Sequence, residues 1–125
     1  MKNTIFFIAL LTAVSLFSCK SSQTTASQDA QLLQAKFEVP GSCGMCEERI
    51  ENAVSVRGVK TADWSMDAQA LTVVYQPSKI TPSRIQELVA EAGHDTPGHK
   101  ASESAYEGLA GCCKYRDGGG KCDMD

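Results

Sequence analysis

The chain has 125 residues and a formal charge of −3, from 12 basic against 15 acidic side chains. That length suits one small domain with tails. The acidic balance, with no basic stripe along the chain, argues against nucleic acid as a partner.

Met1-Lys2-Asn3-Thr4 followed by the apolar run Ile5 to Phe17 is a charged start and a hydrophobic region too short for a comfortable membrane span, the pattern of an export signal. It ends in Leu16-Phe17-Ser18-Cys19, which resembles the lipobox of bacterial lipoproteins, although Phe17 is bulkier than the usual residue. The resemblance implies a lipoprotein signal peptide over residues 1–18 and lipidation of Cys19. It also implies a place in the cell envelope, on the periplasmic side, held to the membrane by a lipid anchor. An ordinary cleaved signal or a single weak anchor is the plainer alternative. Loss of Lys2 with the signal leaves 11 basic against 15 acidic groups, a charge of about −4. Residues 19–34, rich in Ser, Thr and Gln, read as a flexible tether.

The next stretches alternate between strand and helix signals. Ala35 to Val39 places Phe37 and Val39 on one face, as a half-buried strand does. Gly41 to Gly44 form a turn-permissive loop, and from Met45 a helix places Cys46, Ile50, Ala53 and Val54 on one stripe, with Gly58 as its stop. Val59 to Met66 and Ala70 to Gln76 alternate on either side of Asp67-Ala68-Gln69 and read as an antiparallel hairpin, with Ala62, Trp64 and Met66 facing inward. Thr81-Pro82 opens a second helix with a capping hydroxyl and a first-turn proline; Ile85, Leu88, Val89 and Ala92 form its stripe before Gly93. His94 to Lys100 has weak strand character, suited to an edge because of Pro97. The order β-α-β-β-α-β predicts an α+β, ferredoxin-like sandwich: a four-stranded antiparallel sheet with two helices on one face. The domain would span residues 35–100, followed by a Cys-rich extension over 101–125. In that extension Ser102 to Leu109 suggests one or two helical turns, and Gly118-Gly119-Gly120 a loose end.

Chemistry concentrates at the strand-to-helix loop. Cys43 and Cys46 present two thiols to one small ion or oxidant. The free N–H groups and positive dipole end of the helix favour thiolate there. Thiolates are soft ligands that select Cu(I), Hg(II) or Zn(II) over hard cations. Zinc fits least, because a closed zinc site needs four ligands and no second CxxC is present. Of the six cysteines, five remain if Cys19 carries lipid: an odd number, so at least one thiol is free, metal-bound or intermolecular in an oxidising compartment.

Together, the strand, Gly-Ser-Cys-Gly-Met-Cys, the helix, the hairpin, the second helix and Ala-Gly-His-Asp resemble the heavy-metal-associated domain over about Lys36 to Lys100. This is the domain of copper metallochaperones, copper-transporting ATPases and the periplasmic mercury-binding protein. The resemblance implies that Cys43 and Cys46 bind Cu(I) or Hg(II) in near-linear coordination. It further implies transfer by thiolate exchange to a donor or acceptor such as a copper-transporting ATPase or efflux component. Two departures stand out. Gly41 occupies the position where the family usually has a methionine, while Met45 lies between the cysteines. His94 stands where many members have an aromatic or a lysine, either as a third ligand or as a packed histidine at the helix end.

The rival for the CxxC pair is thiol–disulfide exchange, or a plain structural disulfide. No Trp or Pro flanks the pair as in thioredoxin-like proteins, and no triad-like arrangement around His94 or His99 suggests an enzyme. Cys112, Cys113 and Cys122 are read two ways: as caps on the metal or a second site, or as a bridge from Cys122 to one of the adjacent pair. Tyr106, Leu109 and Tyr115 would dock that segment. Met66 is expected in the core and Met124 outside the fold, so Met45 is the one thioether placed near the site. The expected protein is thus a carrier or buffer of a soft metal ion, Cu(I) foremost.

Overall fold

Leu71, Val73 and Tyr75 alternate with half-buried Thr72 and Val74, and this period of two sets the central strand of the sheet. The computed structural model describes residues 31–119. It contains β1 (Leu33–Glu38), α1 (Gly44–Ala53), β2 (Val59–Ser65), β3 (Ala70–Tyr75), α2 (Pro82–Glu91) and α3 (Glu103–Glu107), then two 3₁₀ turns over Gly111–Cys113 and Tyr115–Asp117. The sheet order is β1-β3-β2 and both pairings are antiparallel. Phe37 and Trp64 both lie opposite Leu71, and Ala35 and Ala62 both lie opposite Val73, so two cross-strand rows share one face.

That face packs with Cys46, Ile50 and Val54 and with Ile85 and Val89 of α2 in one core cluster. The α2 start is as its residues dictate: the Thr81 hydroxyl accepts from the Arg84 N–H and Pro82 takes the first helical position. The same cluster includes Tyr106, Leu109, Cys112 and Cys113, so the C-terminal extension shares the core of the elements before it. No described helix is long and apolar enough to cross a membrane. The signal segment, Cys19, Cys122 and Met124 lie outside the described residues.

Three expectations change. The sheet has three strands among the described residues, not four: residues 94–100 form no strand beside β1. Their amides are spent elsewhere. The Asp95 N–H donates to the Tyr115 hydroxyl at 2.8 Å, Thr96 to the His99 carbonyl at 2.8 Å and Gly98 to the Gln86 Oε1 at 2.8 Å. The His99 N–H goes to the Thr96 Oγ1 at 3.0 Å, and Pro97 has no N–H to give. A segment whose donors are satisfied this way gains little from a ladder. Met66 is 44 % exposed, because β2 ends at Ser65 and the hairpin turn lifts its side chain clear of the core. Gly58 lies in the connection to β2, α1 having ended at Ala53.

The loop before α1 is shaped by Trp64. A Cβ on Gly41 would stand 2.7 Å from the Trp64 ring and 3.1 Å from the Cys46 Cβ. The indole therefore fills the space beneath the loop, and only hydrogen fits above it. Gly41→Ala is expected to destabilise the fold by about 1–3 kcal/mol through overpacking, read as a lowered melting temperature. Gly44→Ala, with nothing within 4 Å of the added methyl, should hold or raise it.

Candidate metal centre

The loop that carries the first two cysteines is pinned from the hairpin side. Trp64 donates its indole N–H to the Val39 carbonyl at 2.9 Å; the Val39 N–H donates to the Gln69 carbonyl at 2.9 Å. The Gly41 N–H reaches the Gln69 Oε1 at 2.9 Å. Cys43 then takes the N-cap position of α1 in extended backbone, its carbonyl accepting from the Cys46 N–H at 2.9 Å. Its sulfur is thus placed at the positive end of a ten-residue helix. Cys46 lies one turn in, fully buried, its sulfur accepting from the Ser42 N–H at 3.4 Å. Only Cys43 sits on the loop edge.

Four sulfurs converge on this point. Cys43 Sγ lies 3.5 Å from Cys46 Sγ, 3.5 Å from Cys113 Sγ and 3.7 Å from Cys112 Sγ. The Met45 thioether is 3.8 Å from Cys112 Sγ, although Met45 is otherwise largely exposed. Cys43, Cys46 and Cys113 are free thiols, whereas Cys112 is disulfide-bonded. Among the described residues the ligand-capable cluster is all sulfur, the donor type that soft ions prefer.

The thiols are electrostatically unequal. Burial pushes Cys43 up, but the backbone N–H groups of Cys46 and Met45 and the thiols of Cys46 and Cys113 outweigh it. The net effect lowers Cys43 below the ordinary thiol value. Cys113 is pushed up to about 12, first by burial and then by its thiol neighbours Cys46 and Cys43.

His94 is not in the sulfur cluster. Its ring is fully buried, and Nδ1 lies 2.9 Å from the Pro40 carbonyl; a carbonyl only accepts, so Nδ1 carries the proton. Burial holds the imidazole below its usual pKa and thus neutral, leaving Nε2 as a buried acceptor with no partner. Of the two readings of His94, the geometry displays the packed one, fastening the loop from behind.

The extension reaches the loop through a clamp at residues 93–95. Tyr115 stacks on His94 with centroids 5.4 Å apart and meets Tyr106 edge-on at 5.3 Å. Arg116 grips Asp95 through two nitrogens, at 2.7 and 3.1 Å, and lies 4.3 Å above the Tyr106 ring. Gly93, at φ +101°, lets α3 and Leu109 approach to where a Cβ would stand 2.8 Å from both. Gly119 touches Ser42, where a Cβ would lie 2.9 Å from the serine Cβ, so the chain through Gly119 is laid against the loop. Docking by Tyr106, Leu109 and Tyr115 follows from their residue types. The Asp95–Arg116 pair and the support role of Trp64 do not; the one hint of the latter is a glycine where a bulkier residue is usual.

Comparison with known proteins gives a consistent family picture. The model of the heavy-metal-associated domain matches residues 36–95. The copper chaperone CopZ of Staphylococcus aureus is 31 % identical over 55 residues, covering 43 % of this chain and 81 % of the relative. A CopZ metallochaperone structure aligns with a TM-score of 0.50 at 30 % identity, covering 51 % of this chain and 98 % of the other. The Cu(I)-loaded N-terminal domain of a potential copper-translocating P-type ATPase from Bacillus subtilis aligns with 0.50 at 28 % identity, covering 53 % and 85 %. Oxidised MerP from Ralstonia metallidurans, at 22 % identity, 0.50 and coverage of 53 % and 94 %, shares the fold.

Two outcomes follow from the unequal thiols and the clamp. Near pH 8 a thiol at about 12 is thiolate in only about one molecule in 10⁴. Iodoacetamide should therefore modify Cys43 far ahead of Cys113, as peptide mass spectrometry would read. The Asp95 carboxyl, although raised by burial, is held below the usual carboxylate range by Arg116, the Ala101 N–H and Tyr115. A depressed carboxyl stabilises the docked form fully above that ordinary range, and the contribution fades as pH falls through the lowered value. Hydrogen exchange of residues 103–117 should accelerate between about pH 5 and 3 relative to β3, and Asp95→Asn should flatten that dependence.

Proposed function

The chain belongs to the heavy-metal-associated domain family, and we propose that it binds a soft metal ion, Cu(I) foremost, through Cys43 and Cys46. The observation that carries this reading is the Cys43–Cys46 pair, two free thiols 3.5 Å apart at the start of a helix in an all-sulfur environment. The ion is cargo. The lowered Cys43 thiol supplies the entering ligand, because a thiolate is both the better nucleophile and the binding form. Cys46, fixed in the core, supplies the second.

The role is carriage or buffering rather than catalysis. Its place is the cell envelope, on the periplasmic side, held by lipid on Cys19; the charged start, short apolar run and Leu-Phe-Ser-Cys support this. The exchange partner is a domain with a comparable thiol pair, such as that of a copper-transporting ATPase, the class of protein to which one aligned structure belongs. Hg(II) suits the same sulfurs, and Zn(II) less so because it seeks four ligands. A redox reading has one specific support: the Cys112 disulfide lies 3.7 Å from the free Cys43 sulfur, within reach of thiol–disulfide exchange.

Anaerobic titration with Cu(I) against a competing chelator tests the assignment. Tight uptake is expected, with Cys43 and Cys46 protected from alkylation. Cys43→Ser should weaken binding by more than the roughly 10- to 100-fold that loss of an outer contact costs, with little effect on stability. Cys46→Ser should weaken it similarly and also lower the melting temperature, since its sulfur is buried. Unchanged copper retention in both variants rejects the reading, and turnover in an insulin-reduction assay without copper uptake would favour the redox one.

A further inference from the structure

Cys113 is separated from the loop by 70 residues of chain, yet its sulfur is as close to Cys43 as that of Cys46, at 3.5 Å. Cys43, at the rim, therefore touches both of the other free thiols, Cys46 and Cys113, which are fully buried. Cys112 beside them is held in a disulfide and has no thiolate to offer. A core cysteine packed for its apolar bulk alone would not need such partners. Here the 3₁₀ turn Gly111–Cys113 brings both sulfurs of an adjacent pair to the loop, Cys113 as the free thiol, while the clamp around Tyr115 and Arg116 fixes the turn from the other side.

We propose that the C-terminal extension completes the metal site, with Cys113 as a third thiolate ligand. The proposal rests on the soft-metal reading above and refines it from two ligands to three. The spacing supports it. For metal–sulfur bonds of about 2.3 Å, ligand sulfurs stand about 4.6 Å apart in linear coordination and about 4.0 Å apart in trigonal coordination. The Cys43–Cys46 and Cys43–Cys113 distances need to open by only a few tenths of an ångström to take an ion in trigonal geometry. Linear coordination would instead require Cys43 to move by about 1 Å from Cys46, which is locked in α1, against the sulfurs of Cys112 and Cys113 that bound its space.

The consequence is a closed holder in place of an open loop. An incoming partner thiol must displace Cys113 first: one metal–sulfur bond forms to the partner, the bond to Cys113 breaks, and the proton given up by the incoming thiol passes to the departing Cys113 sulfur. Release is thereby coupled to undocking of residues 111–113.

Copper-edge X-ray absorption on the full chain, loaded anaerobically with one equivalent of Cu(I) and no thiol reductant, counts the sulfurs directly. Three are expected in the unsubstituted protein. Cys113→Ser should give two sulfurs and an affinity for Cu(I) lower by about 10- to 100-fold; Cys113→Ala, which buries no hydroxyl, should behave alike. Two sulfurs in the unsubstituted protein, or three retained in both variants, would overturn the third ligand while leaving the copper reading in place. Four sulfurs would overturn the three-ligand site, and no uptake at all would overturn both. The count on the unsubstituted chain does not depend on any variant folding.

Discussion

The pairing of Arg116 with Asp95 is the contact on which the shape of the centre depends. A bidentate guanidinium–carboxylate pair of which both partners are mostly shielded is geometrically demanding, and here its demands are met by neighbours. Asp95 also accepts from the Ala101 N–H, while Arg116 lies on the Tyr106 ring and donates to the Ala101 carbonyl. The network closes a ring of chain from residue 95 to 116. It diverts the segment after α2 from the sheet edge and makes it the dock for the extension. Without it the last strand of a larger sheet and the delivery of Cys113 would compete for the same backbone; with it, the second outcome wins.

Rigidity of the first two cysteines comes from a different source. Trp64 stands under the loop, its ring in contact with Gly41 and its N–H on the Val39 carbonyl, while Gln69 holds the next turn through both backbone and side chain. Aromatic bulk with one satisfied polar handle is an efficient prop. From behind, His94 ties down the Pro40 carbonyl. The loop is thus fastened before any ion arrives, and the ordering cost of assembling two thiols is met during folding and not at binding.

Local chemistry was legible and distant chemistry was not. Phe37, Trp64, Leu71 and Val73 declare their strands by alternation; Thr81-Pro82 declares the start of α2; two cysteines before an amphipathic run declare the centre. Each of these signals lies within a few residues of what it predicts. The missing fourth strand is the contrary case. His94 to Lys100 has strand-like composition, but the fate of its amides is decided by Tyr115, 20 residues later, and by Gln86. The approach of Cys113 to Cys43 is likewise invisible to periodicity, since nothing local distinguishes Cys112 from Cys113. Met66 continues the inward rhythm of β2, yet the strand stops one residue before it.

A metal carrier must satisfy two opposed requirements, retention against competing ligands and release to one correct partner. Two surface thiolates favour release, since a third thiolate can enter without anything leaving. A third thiolate supplied from within raises retention, but the same ligand arrives on a separate short segment, held by a partly shielded ion pair, two aromatic contacts and the packing of Tyr106 and Leu109, while Cys43 and Cys46 belong to the loop and helix at the start of the domain. Contacts of the first kind are individually worth on the order of 1 kcal/mol, the scale on which a docking partner can compete. Retention and release are in this way assigned to different parts of one chain, and the selectivity of transfer becomes a matter of which partner can unseat the extension.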